Sequence, residues 1–357
     1  MKRYIAQYQP YQFQFVTPGG TSRGVMTTRP GWIIRLYEVD SPEVAGYGEC
    51  CIIPGLSADD VDGLPAMLAQ VVGNINDYLP DFHQRLAAWP SIRFAIETAL
   101  LDLDRGGRRL LFPSAFTQGL DGIAINGLIW MGQPEYMLSQ IAKKLEDGYR
   151  CLKMKIGAIG FDDEMAILRG IRQRYGVDDL EIRVDANGAF TPDEVWAKLD
   201  ALHALQVHSI EQPIRAGQWE LMANVCRNSP VPVVLDEELI GIHAPETMRS
   251  MLDAILPQYI ILKPGLLGGF DISSQWITMA QARGIGWWVT SALEGNIGLN
   301  AIAQWTYTLH PAMPQGLGTG QVFSNNIPSP LYISNGRLYH DANGRWDLSP
   351  LSELPCK

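Results

Sequence analysis

Lys153 and Lys155 stand two residues apart in the apolar run Leu152-Lys153-Met154-Lys155-Ile156-Gly157. In a strand, residues i and i+2 share a face, so both ammonium groups point the same way. A buried face tolerates that only where carboxylates meet it. Downstream, Asp185, Glu211 and Asp236 each close a hydrophobic run, and Lys263 closes another. Three carboxylates brought to one point repel strongly and call for a hard divalent cation. Oxygen ligands with room left for water and substrate suit Mg²⁺, with Mn²⁺ as a substitute. A lysine beside such a cation, partly desolvated, has a lowered pKa and becomes a usable general base. The chemistry this set supports is proton abstraction alpha to a carboxylate, with a metal ion holding that carboxylate. Asn187, Ser291 and Glu294 also fall at ends of β-like runs and are candidate substrate contacts. Taken singly, any of these acids is more often a helix cap or a surface ion pair; the ordered set is what is specific.

Elements must bring these ends together. After residue 119 the pattern alternates: β-runs at 123–130, 152–156, 180–185, 209–212, 231–236, 255–263 and 285–290, a short final run at 316–320, and helical stretches between them. Alternation of this kind means a parallel sheet. About eight β-runs with seven helical ones suit a closed (β/α)7β, TIM-like barrel, whose active site lies at the C-terminal ends of the strands. An open doubly wound sheet would carry a glycine-rich phosphate turn after its first strand, and none is present. Before the barrel, residues 4–16 and 31–39 read as strands, and 60–72 and 92–103 as helices, the latter capped by Ser91. Residues 18–29 form a polar, glycine-bearing loop between strands, long enough to act as a mobile lid. The expected organisation is α/β: an α+β capping domain over 1–118, the barrel over 119–322, and a segment over 323–357 that returns to the cap.

The bulk numbers bound the function. A chain of 357 residues, 46% hydrophobic and 18% charged, has the composition of a soluble globular protein. A net charge of −10 argues against a nucleic-acid partner. No apolar run approaches the length of a membrane span, and the N-terminus lacks the apolar core of a signal peptide. The five cysteines follow no zinc spacing, and adjacent Cys50 and Cys51 are poorly placed to bridge each other. Free buried thiols in a cytoplasmic, reducing compartment are expected.

Lys-Met-Lys (153–155), Asp-Ala-Asn-Gly (185–188), Glu-Gln-Pro (211–213), Leu-Asp-Glu (235–237) and Leu-Lys-Pro (262–264), in that order, resemble the enolase superfamily in its muconate-lactonising subgroup. The resemblance spans nearly the whole chain and implies a capping domain over a (β/α)7β barrel. It also implies Asp185, Glu211 and Asp236 as Mg²⁺ ligands, Lys155 as the acid/base group and Lys263 on the opposite face. Lys153 becomes a supporting charge that lowers its neighbour's pKa. Ser-Ala-Leu-Glu-Gly-Asn-Ile-Gly (291–298), Arg183, and the stretch 46–57 point to the branch that dehydrates a succinyl-bearing cyclohexadiene carboxylate in menaquinone biosynthesis. In that manner the 19–29 loop closes over the barrel mouth, with Arg23 or Arg29 meeting the succinyl carboxylate. Dipeptide epimerases of the same subgroup carry an Asp-x-Asp at the last strand; here residues 316–323 hold no acid, which counts against that activity. Acylamino-acid racemisation needs no such acid and stays open, as does a catalytically inactive binding relative.

Overall fold

Antiparallel pairing sets the first layer. β1 (Tyr4–Pro10) pairs antiparallel with a later strand, and β2 (Phe13–Thr21) and β3 (Gly24–Arg29) pair with each other. The computed structural model describes residues 2–21, 24–157 and 159–351. Residues expected as a loop at 18–29 therefore belong largely to a two-stranded ribbon; residues 22–23 lie outside the described set. Long-range contacts override the local turn composition: Val16 N donates to Val322 O (2.9 Å) and Phe15 bridges Phe323. β4 (Gly31–Glu38) and β5 (Ala45–Cys51) complete the cap sheet in the order β1-β4-β5.

Four helices follow: α1 (Leu64–Gly73), α2 (Ile75–Tyr78), α3 (Phe82–Arg85) and α4 (Pro90–Asp104). Ser91 is not the N-cap of α4. Pro90 takes the first helical position, where a missing N–H costs nothing, and the Ser91 hydroxyl donates to buried Asp59 instead (2.5 Å). Gly46 and Gly48 let β5 lie directly on α4. A Cβ at either would stand 1.9 Å from a backbone carbonyl, that of Ala99 or Ala95 respectively. Backbone on both sides cannot yield cheaply. Gly48→Ala is expected to cost about 3 kcal/mol of stability, read as a lower urea midpoint. A midpoint shift equivalent to under about 1 kcal/mol would contradict so close a packing.

The barrel begins with β6 (Ile123–Ala124) and β7 (Gly127–Ile129), then alternates: α5 (Pro134–Glu146), β8 (Cys151–Lys155), α6 (Phe161–Arg172), β9 (Glu181–Asp185), α7 (Val195–Ala204), β10 (Ser209–Glu211), α8 (Trp219–Asn228), β11 (Val233–Leu235), α9 (Pro245–Ile255) and β12 (Tyr259–Leu262). The short α10 (Pro264–Leu267), α11 (Phe270–Gln281), β13 (Gly286–Val289) and α12 (Asn296–Thr308) complete it. Strands β7 to β13 form one parallel sheet in sequence order. The final run closes the ring with single bridges, Gln315 to Ile125 on one side and Gly316 to Thr290 on the other. Below the strand ends Arg183 fills the interior, its guanidinium 4.2 Å from the Trp288 ring and bonded to Glu181 (2.6 Å).

The tail is more divided than a simple return to the cap. β14 (Leu331–Ser334) and β15 (Arg337–His340) form a hairpin that pairs with β6, at the N-terminal end of the barrel. Phe323, Ile327 and Leu351 instead join Phe13 and Ile33 of the cap in one apolar cluster. Cys50, Cys51, Cys151 and Cys226 are buried free thiols; Cys356 lies outside the described residues. No helix among the described residues is long and apolar enough to cross a membrane.

Candidate active site

Parallel register does most of the assembly. Lys155 lies directly beside Asp185 on the next strand, and Asp185 beside Glu211 on the one after. Asp236 and Lys263 follow the last residues of β11 and β12. The result is one row of charge along the C-terminal rim. Asp185 Oδ2 lies between two ammonium groups, Lys153 Nζ at 3.0 Å and Lys155 Nζ at 3.1 Å. Lys153 also contacts Glu211 Oε2, and Lys263 contacts Asp236 Oδ2 while standing 4.0 Å from Glu211 Oε1.

Two turns in the left-handed region steady the row. Asn187 (φ 44°), followed by Gly188, brings its side chain back over β8, where Oδ1 accepts from Lys155 at 2.7 Å. Asparagine tolerates that backbone better than most residues. Its amide donates to Glu237 Oε1 (3.1 Å), so the carbonyl end is fixed toward the lysine. Gln212 (φ 40°) is fully buried; its Oε1 accepts from Asp236 N (3.3 Å) and its amide donates to Glu238 (3.1 Å).

The charges perturb one another. Burial alone would lower Lys153 and Lys263, but the neighbouring carboxylates outweigh it and hold both above the ordinary lysine value. Burial would raise Asp185, but Lys153, Lys155 and Lys263 hold it well below the usual carboxylate range. Glu211 goes the other way: burial first, then Asp185 and Asp236, push it up to about 8. The residue is only 2% exposed, and its two oxygens face the Lys153 and Lys263 ammonium groups. Such a carboxylate, flanked by two more, has the chemistry of a hard-cation ligand. Among the described residues no three acidic, histidine or cysteine side chains are gathered closely enough to hold a metal as they stand. The lysine ammonium groups stand between the acids instead. Lys153 directs its own ammonium group to Asp185 and Glu211.

Most of these groups, Glu211 and Gln212 excepted, line one cavity of about 240 Å³. Lys153, Lys155, Asp185, Asn187, Asp236 and Lys263 form its polar floor; Met26, Ile53, Leu56, Leu128, Trp130 and Leu293 form an apolar wall. Ser291 lines it too, donating to Glu294 (2.6 Å) and accepting from Thr319 (2.8 Å). Two expected substrate contacts do not reach it. Glu294 is buried behind Ser291, accepting also from Ala292 N (2.6 Å). Arg29 has no exposed surface, pairs with Glu49 (3.1 Å) and stacks over Phe13 (5.1 Å). Arg23 lies outside the described residues. The apolar wall and Asn126 escaped the sequence reading, although a lone asparagine in the run Ile125-Asn126-Gly127-Leu128-Ile129-Trp130 was a usable signal.

Known proteins share this architecture. Residues 136–344 match the family described as Enolase C-terminal domain-like. An o-succinylbenzoate synthase of Desulfotalea psychrophila is 49% identical, over 93% of this chain and 97% of its own. The crystal structure of MenC from Desulfotalea psychrophila LSv54 superposes with a TM-score of 0.79 at 46% identity, covering 94% of this chain and 99% of that one. An N-succinylamino acid racemase of an Amycolatopsis species is 26% identical, over 99% of this chain and 96% of its own.

Proposed function

The chain belongs to the enolase superfamily, in its muconate-lactonising subgroup, and on that premise we propose that it carries out the o-succinylbenzoate synthase reaction. This is a hydro-lyase step: 2-succinyl-6-hydroxy-2,4-cyclohexadiene-1-carboxylate loses water to give 2-succinylbenzoate, on the route to menaquinone. The observation that carries the reading is the placement of Lys155 and Lys263 at opposite flanks of one carboxylate row, in a cavity whose other wall is apolar.

Superfamily members pair Mg²⁺ with a lysine or histidine base; here Asp185, Glu211 and Asp236 would hold the ion, which when bound supplies a divalent charge against the ring carboxylate. A divalent cation and a dicarboxylate substrate carry no net charge between them, so the pair enters without adding to the charge of the site. Lys155, as the free amine, takes the proton from the ring carbon bearing the carboxylate, and the C–H electrons pass into an enediolate. The resulting ammonium protonates the hydroxyl on the adjacent carbon as that C–O bond breaks. Water leaves, and proton removal and return use one face, a syn elimination. Lys263 keeps its charge on the opposite flank and stabilises the enediolate electrostatically. Asn187 holds Lys155 in line, and the apolar wall receives the ring. Aromatisation of the product supplies much of the driving force.

The test is loss of diene absorbance in Mg²⁺ buffer, run beside racemisation of N-succinyl amino acids. Dehydration is expected with the higher kcat/KM. Absence of dehydration at every Mg²⁺ concentration would sink the proposal, and faster racemisation would hand the site to the racemase reading.

A further inference from the structure

We propose that Glu49 is a positioning residue that fixes the spacing between two stretches of the cavity lining, 24–26 and 291–293; the idea rests on the functional reading above. Glu49 sits on β5 of the cap with no exposed surface. Its Oε1 accepts from Arg29 Nη2 (3.1 Å), Cys51 Sγ (2.8 Å) and Gly295 N (2.5 Å), and its Oε2 accepts from Gly298 N (2.9 Å). Those donors come from distant parts of the chain. Arg29 ends β3, whose Gly24, Val25 and Met26 line the cavity. Gly295 is the N-cap of α12 and directly follows the loop in which Ser291, Ala292 and Leu293 also line the cavity. One buried carboxylate is thus tied to two stretches of the lining.

The tie holds the β3 side of the ribbon, while Val322 and Phe323 hold β2. β2 and β3 belong to neither the cap sheet nor the barrel, and their pairing shifts register between Gln14 and Gly19. A two-stranded ribbon is marginal by itself, so its anchors decide where it lies. At the other end, the Glu49 carboxylate meets the first N–H groups of α12, where the helix has unpaired donors and favours negative charge. Glycine at 295 and 298 permits the approach: a Cβ there would come within 3.1 and 3.3 Å of Glu49 Oε2. Glu49 is not itself a lining residue, so it acts through the stretches it ties.

The experiment is Glu49→Gln, which keeps the shape but removes the charge that pairs with Arg29 and one acceptor oxygen. KM for the diene carboxylate is expected to rise about tenfold with kcat within about threefold, since only the substrate's enclosure is loosened. Limited thermolysin digestion followed by mass spectrometry should show cleavage beside exposed Val16 and Val25 about tenfold faster than in the wild type. A cap-to-barrel staple with no positioning role would lower thermal stability and leave KM and ribbon cleavage unchanged, which overturns the proposal. A fall in kcat at unchanged KM overturns it as well. Should Glu49→Gln not fold, Arg29→Lys carries the same test, with KM up about threefold expected and an unchanged KM fatal. A wild-type protein that does not dehydrate refutes the functional reading alone, because the digestion still reads the tie.

Discussion

Lys155→Ala is expected to lower kcat for dehydration about 10³-fold or more while the fold and Mg²⁺ binding persist. The size follows from the double duty assigned to one ammonium: it takes the ring proton and returns it to the departing hydroxyl, so both barriers rise together. The persistence of the fold follows from what the side chain leaves behind. Its two partners are Asp185 Oδ2 (3.1 Å) and the Asn187 carbonyl (2.7 Å). Asp185 retains Lys153 at 3.0 Å and the Asn187 backbone N–H at 3.0 Å, so no buried charge is stranded. Lys153→Ala would differ, because it removes contacts to Asp185 and Glu211 at once and leaves buried carboxylates short of charge. Steady-state kinetics with a parallel thermal melt decide the matter. A Lys155→Ala enzyme with more than a tenth of wild-type kcat would take Lys155 out of the proton path.

The row of charge was readable before the fold because two simple regularities generate it. Alternation puts Lys153 and Lys155 on one face, and in-register parallel pairing sets Lys155, Asp185 and Glu211 side by side. Neither regularity says which carboxylate each lysine meets, so the division of labour between Lys153 and Lys155 needed coordinates. Arg29 and Glu294 mark a different limit. Both have the residue type of a substrate contact and sit near suggestive motifs. Their actual partners are Glu49, on a neighbouring cap strand, and the Ser291–Ala292 turn, and burial behind the wall is invisible in a linear pattern. The 18–29 stretch read as a loop because Pro-Gly-Gly is turn chemistry, yet its pairing is anchored through Phe323 and Val322, some 300 residues away. The apolar wall was illegible for a plainer reason: Ile53, Leu128 and Trp130 have the composition of any core.

Glu211→Gln is expected to weaken Mg²⁺ binding on the order of 100-fold and to remove turnover at Mg²⁺ concentrations that saturate the wild type. Glu211 occupies the middle of the row, between Asp185 on one strand and Asp236 at the end of another, and its oxygens face the Lys153 and Lys263 ammonium groups. Burial beside two like charges is costly for a carboxylate; Lys153 and Lys263 offset that cost in part, and a divalent cation would offset it further. The amide keeps one oxygen ligand but brings an NH₂ toward Lys153 and Lys263, replacing attraction with opposed donors. Two readouts separate ligand loss from general damage. Saturating Mg²⁺ should raise the melting temperature of the wild type by linkage and leave that of Glu211→Gln nearly unmoved. Calorimetric titration should show the affinity loss directly, with Mn²⁺ following the same order. Unchanged Mg²⁺ affinity in a folded Glu211→Gln protein would remove Glu211 from the ligand set, and with it the reason for three acids on successive strands.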